Sequence, residues 1–141
     1  LTVVERATLP FNMPENVEAW HIKGALFFGS ISKLEFVTDP TRITMAGSAR
    51  IVVLDFEELL HIDNSAMDQI EVFVRALHRH NHELIIAGAT GHPLAQLRRT
   101  GIAQALGPNL VPNMEFAMAR ARTVLAELDE KEKSRPVIRT L

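Results

Sequence analysis

Ile51-Val-Val-Leu-Asp-Phe-Glu-Glu-Leu-Leu-His-Ile-Asp-Asn-Ser-Ala66 is the stretch whose reading decides the fold. Ile51 to Phe56 shows no polar–apolar alternation, the pattern of a strand covered on both faces at the middle of a parallel sheet. A short polar loop follows. Asp63-Asn-Ser-Ala66 then opens a long helical period, with Ala66, Met67, Ile70, Phe73, Val74 and Leu77 on one face. A buried strand thus delivers a small hydroxyl residue, Ser65, to a helix N-terminus. Unpaired N–H groups and the positive end of the helix dipole make that position favourable for anions.

Leu84-Ile-Ile-Ala87 is a second run of the same kind. It is expected to lie beside the first and parallel to it, with the Ser65 helix packed on the sheet, because strand–helix–strand crossovers are right-handed by default. Asn81 ends the helix between them. Beyond Gly88, Pro93 sits in the first turn of a further helix, with Leu94 and Leu97 inward and Gly101 as its stop. Ile102 to Leu106 forms a short helical turn, and Asn109 to Val111 a last edge strand. Asn113 caps a final helix carrying Met114, Ala117, Met118, Ala121, Leu125 and Leu128.

Upstream, Val17 to Ile22 and Ala25 to Phe28 read as two short apolar runs with a tight connection at Lys23-Gly24. Ile31, Leu34 and Val37 share a helical face that Asp39-Pro40 stops, and Thr41 to Ala49 is a polar loop. The alternation predicts an α/β fold. A small mixed sheet of about four or five strands, parallel in its centre, packs with about four or five α-helices. Residues 1–16 are expected as a lead-in, 17–128 as the domain, and 129–141 as a charged, frayed tail.

The 141 residues suit one domain, and 47% hydrophobic content suits a folded globule. A net charge of −2 without a basic stripe gives no reason to expect nucleic acid. No cysteine is present, which excludes disulfides, zinc ribbons and thiol catalysis. No apolar run approaches the ~20 residues that cross a bilayer. The N-terminus lacks both the layout of a signal peptide and an initiator Met, as in a processed protein or a piece of a longer chain.

Four stretches, in order, carry a resemblance to the STAS domain, the module shared by SulP-type anion transporters and bacterial anti-sigma factor antagonists. Ile22-Lys-Gly-Ala-Leu-Phe-Phe-Gly29 is similar to the family's first hairpin, with the Leu-Phe-Phe-Gly ending of the SulP branch. Val52-Val-Leu-Asp-Phe56 resembles the central strand. Ile62-Asp-Asn-Ser-Ala66 stands where the family has Asp, a small residue, Ser or Thr, then Gly or Ala. Leu84-Ile-Ile-Ala-Gly88, followed by Leu97-Arg-Arg-Thr-Gly101, is similar to the late strand and the helix ending in glycine. Asn64 departs from the Ser common in antagonists and Ala66 from the commoner Gly. Both departures weigh against a kinase-regulated switch more than against the fold.

The resemblance implies a regulatory, protein-contacting domain of a SulP-family sulfate or related anion transporter. It would lie on the cytoplasmic face of the inner (plasma) membrane, with no catalytic activity and no cofactor. Implied partners are the transporter's own transmembrane part, a second copy, or a soluble regulatory protein. The alternative is a free-standing anti-sigma factor antagonist switched by phosphorylation of Ser65. A small hydrolase is a third reading, weakened by the lack of an assembled catalytic set.

The candidate contact and anion surface comprises Asp63, Asn64, Ser65 and Ala66 with Gly88, Ala89, Thr90 and Gly91. Both segments follow carboxyl ends of central strands, where open α/β sheets bind ligands. Ser65-x-x-Asp68 resembles a capping box, and Asp63 competes with Ser65 for the same cap. Gly88 to Gly91 lacks the P-loop lysine, so only weak anion or nucleotide binding is expected there. No metal is expected: Asp55 with Asp63 is too few ligands. His78 and His82 sit where a helix ends, while His21, His61 and His92 are scattered. Trp20 is expected in the core, and Phe27, Phe28 and Phe36 as core and partner-facing residues.

Overall fold

The computed structural model describes residues 2–30, 32–39, 41–42 and 49–133. Along them lie β1 (Thr2–Arg6), β2 (Val17–Leu26), α1 (Ser32–Glu35), β3 (Ile51–Asp55), β4 (Leu59–Ile62) and α2 (Asn64–Arg79). After these come β5 (Glu83–Ala87), α3 (Gly91–Arg99), α4 (Ile102–Leu106), β6 (Leu110–Val111) and α5 (Met114–Lys133). The sheet runs β1-β2-β3-β5-β6, with β4 against the far half of β2. β1 is antiparallel to β2, and the other pairings are parallel. β3 and β5 are adjacent and in register from Ile51–Glu83 to Asp55–Ala87, as the two apolar runs require.

Alternation along each strand sorts the core into two layers. Val52, Leu54, Leu84 and Ile86 meet Met67, Ile70, Phe73 and Leu77 of α2 on one face. Ile51, Val53, Ile85 and Ala87 meet Ala117, Ala121, Val124 and Leu125 of α5 on the other. Small alanines one turn apart let α5 approach the sheet closely. α2 ends as the position of Asn81 suggests. Asn81 takes φ 59°, its N–H reaches His78 O at 3.2 Å, and His82 N–H reaches Leu77 O at 2.8 Å. This pair of bonds is a Schellman closure, which satisfies the helix's last carbonyls.

Four expectations are corrected. Lys23-Gly24 is not a turn: β2 is one strand of 10 residues. Gly24, at φ 86°, lies where the pairing with β4 shifts register, so its conformational freedom serves a bulge. The first hairpin is therefore β1–β2. Second, the lead-in over 1–16 contributes edge strand β1, and its Ala7 and Met13 bury beneath α5. Third, the loop after Phe56 contains β4. Its bulge leaves Leu60 exposed between buried Leu59 and Ile62, which erases the period of two. Fourth, residues 129–133 are the last turn of α5, held where Arg50 bonds Asp129 at 2.9 Å and Glu132 at 3.1 Å. Ile31, Pro40, most of the Thr41 to Ala49 loop and residues 134–141 lie outside the described residues.

One buried carboxylate ties the α1 region to the sheet. Glu18, on β2, receives Arg42 through two bonds of 2.9 and 2.6 Å, Arg6 at 3.1 Å and the Trp20 indole at 3.1 Å. Arg42 also donates to the Phe36 and Val37 carbonyls. Trp20 is half-buried and meets Phe36 edge-on at 5.9 Å. Burial alone would raise the Glu18 carboxyl. The bonds from Arg42 and Trp20 and the charges of Arg42 and Arg6 outweigh it and hold the group below its ordinary value.

The folded state therefore binds this proton less readily than the unfolded chain. The stabilisation is full above the unfolded value of about 4.3 and fades as pH falls through the folded one. We expect Glu18→Gln to lower the unfolding free energy at neutral pH by about 2 kcal/mol. The same substitution should flatten the acid limb of a urea-midpoint-against-pH curve. An unchanged acid limb would assign that limb to other carboxylates.

Candidate functional site

The turn from β4 into α2 is built by one side chain. Asp63 has extended backbone angles (φ −90°, ψ 177°) and its carboxylate accepts from Ala66 N–H at 3.0 Å. It is the N-cap. Ser65 is then the second helical residue, not the cap, and Ser65-x-x-Asp68 is not a capping box here. Ser65 is half-buried in the first turn, and its hydroxyl makes no hydrogen bond among the described residues. Ala66 is fully buried and packs into the α2 core layer.

Helix α3 joins this turn to the second candidate segment. His92, Gln96 and Arg99 follow one another at helical spacing on one face. His92 Nδ1 accepts from Ile62 N–H at 3.2 Å, and Gln96 donates to Ile62 O at 3.1 Å. Arg99 donates to the Asn64 side chain at 2.6 Å. The exposed backbone of edge strand β4 is thus closed by a helix, one of the ways proteins blunt sheet edges. His61 and His92 stack with centroids 4.1 Å apart.

The Gly88–Gly91 segment that leads into α3 lies at the same end of the sheet. Gly88 takes φ 75° and bonds Val111 O at 2.9 Å. A Cβ there would stand 2.2 Å from Glu57 Cγ, so only glycine lets the Glu57 side chain lie across the loop. Glu57 in turn accepts from Met114 N–H at 3.2 Å. Thr90 is the N-cap residue of α3 but makes no side-chain capping bond.

Strand register makes a pairing that the scattered histidines concealed. His21 of β2 is opposite Asp55 of β3, and His21 Nδ1 lies 2.6 Å from Asp55 Oδ2. The other Asp55 oxygen accepts from Glu57 N–H at 2.9 Å. Asp55 and Asp63 are engaged separately, Asp55 by His21 and Glu57 N–H and Asp63 by Ala66 N–H. His82 Nδ1 is buried without a partner among the described residues. Burial, with the charges of Arg50 and His80, holds its ring below the ordinary imidazole value. Phe27 and Phe36 are exposed and so are not core residues.

The family model for the STAS domain matches residues 12–117. No curated protein matches the chain. A sulfate transporter family protein from Wolinella succinogenes has the same fold at TM-score 0.69, with 23% identity over 81% of this chain and 91% of that one. An anti-sigma factor antagonist from Mycobacterium paratuberculosis superposes at TM-score 0.67, with 12% identity over 85% and 95% of the two chains. The murine anion transporter Slc26a9 contains the fold at TM-score 0.70, with 8% identity over 87% of this chain and 22% of the transporter. Identities this low establish fold alone.

The geometry separates the roles of two neighbouring residues. Asp63→Ala should cost about 1 kcal/mol, the usual loss for an N-cap. Ser65→Ala should stay within about 0.5 kcal/mol of the parent, because no bond is lost. Urea unfolding of the two variants checks both. Equal losses would return the cap to Ser65.

Proposed function

The chain belongs to the STAS domain family, and from that premise we propose that it is the regulatory, protein-contacting domain of a SulP-type transporter of sulfate or a related anion. It would work at the cytoplasmic face of the membrane, by contact and without turnover.

One observation carries the reading. Phe27 and Leu60 are 43% and 76% exposed, and both lie at the end of the sheet where α2 begins. Asp63 N–H donates to Leu26 O at 2.9 Å, which puts Phe27 next in chain to the residue that holds the cap. Leu60 precedes the cap on β4. We read these two exposed apolar side chains, at the end of the sheet where the ordered polar turn lies, as anchors of a protein contact surface. The contact surface of the proposal adds Asp63, Asn64, Ser65 and Ala66 and the Gly88, Ala89, Thr90 and Gly91 loop. Arg99, at 2.6 Å from Asn64, supplies the cation for weak, salt-sensitive anion binding there. No helix of the described residues is long and apolar enough to cross a membrane, so in this reading the membrane part belongs to other segments of the parent protein.

A second reading, a free-standing anti-sigma factor antagonist switched at Ser65, is favoured by one feature. Among the described residues the Ser65 hydroxyl is unbonded, in the first turn of α2 where a phosphate gains from the helix dipole.

The test uses the full-length parent protein with Phe27→Ser and Leu60→Ser together. We expect most anion uptake to be lost at unchanged membrane abundance, while this chain carrying both changes keeps its melting temperature. Normal uptake by the double variant would refute the contact surface. A parent protein without anion uptake, whose Ser65 is labelled in a kinase-dependent way, would establish the second reading.

A further inference from the structure

The sheet face beneath α5 carries a polar feature that the contact surface does not use. Asp55 is 7% exposed and stands 2.6 Å from His21 Nδ1. A carboxylate only accepts, so in the neutral ring the proton sits on Nδ1 and Nε2 keeps its lone pair. Nε2 makes no hydrogen bond among the described residues, and the Glu57 N–H bond at 2.9 Å fixes Asp55 in turn.

His21 faces a pocket of about 290 Å³ that Thr8, Met114, Glu115 and Met118 also line. Met114 and Met118 are one helical turn apart on α5, so their thioethers rise from the same face. Three rotatable bonds let each sulfur adjust its position over a ligand. The polar groups around this pocket present lone pairs: an imidazole nitrogen, two thioethers, a hydroxyl and a carboxylate. No Lys or Arg is among its lining residues. With Ala7 and Pro10 as its apolar walls, such a lining suits a cation better than an anion.

The ligand types narrow the choice of cation. No three His, Asp or Glu side chains among the described residues gather to hold a metal, so a hard or borderline ion lacks a donor set. Two soft thioethers with one borderline imidazole, which copper also accepts, favour Cu(I) over Zn²⁺ or Mg²⁺. The histidine already has the carboxylate partner that metal-bound imidazoles use to fix their tautomer and orientation.

We propose that His21 Nε2 and the Met114 and Met118 sulfurs form a binding site for a soft monovalent metal ion, Cu(I), with Asp55 positioning the imidazole. Binding is simple coordination, with no change in oxidation state. The site lies on the α5 face and is independent of the Phe27–Leu60 surface.

The experiment titrates this chain with Ag(I), a redox-inert probe of the same preference, and then with Cu(I) under anaerobic chelator competition. Methionine methyl and histidine ring nitrogen signals are followed by NMR. One equivalent should shift the Met114 and Met118 methyls and His21 Nε2, leaving the other three of the chain's five methionines in place. Met114→Leu and Met118→Leu conserve volume and should leave the fold intact. Each should weaken Ag(I) by about tenfold or more, and Asp55→Asn by about 10- to 100-fold. The absence of stoichiometric binding would overturn the proposal. So would binding that survives both methionine changes, or shifts confined to His61, His92 or the His78–His82 region.

Discussion

The structure depends on the complete burial of β3. Ile51, Val52, Val53 and Leu54 are each 0% exposed, with β2 and β5 on either side and a helical layer on each face. Burying one such side chain contributes about 1.5–3 kcal/mol. Four of them match the entire net stability of a typical domain, about 5–15 kcal/mol. Fixing β3 fixes which residues of β2 and β5 face α2 and which face α5, because a one-residue slip would invert every side chain. The polar features follow from that register. His21 meets Asp55 only because both sit on the α5 face of neighbouring strands, and Glu18 faces Arg42 because it sits on the other.

The candidate contact surface is held by helix α3 more than by its own loops. β4 is short, bulged and, among the described residues, paired on one side only. His92 and Gln96 take up its Ile62 N–H and C=O, and Arg99 secures Asn64. The start of α2 is thereby a fixed platform flanked by exposed Phe27 and Leu60, in keeping with recognition by contact. Glu57 adds a second contact: its side chain lies across Gly88 and accepts from the N–H of the first residue of α5, which links these segments at one end of the sheet.

Much of this was legible in the chain. Ile51 to Phe56 and Leu84 to Ala87 read as neighbouring buried strands because nothing polar interrupts them. The α2 face, the Asn81 stop and the Asn113 cap, which bonds Phe116 N–H at 2.9 Å, follow from local rules. β1 and β4 were not legible, since their extended form comes from pairing with β2 rather than from their own pattern. Gly24 looked like a turn because bulge and turn demand the same backbone freedom. At the site, Asp63 to Ala66 stood out as a helix start. The contribution of Arg99 needed the knowledge that α3 lies against β4, although His92, Gln96 and Arg99 are spaced on one helical face. The His21–Asp55 pair needed the β2–β3 register, which no local signal reports.

Native-state hydrogen exchange across a series of low denaturant concentrations tests the central role of β3 most directly. The account predicts that amides of β3, of β5 and of residues 17–21 in β2 exchange only through global unfolding, at one shared free energy. Amides of β4 and α4 should open earlier. If β3 amides instead exchange through a local opening that is independent of denaturant and precedes that of β4, the sheet is not organised around this strand and the account is contradicted.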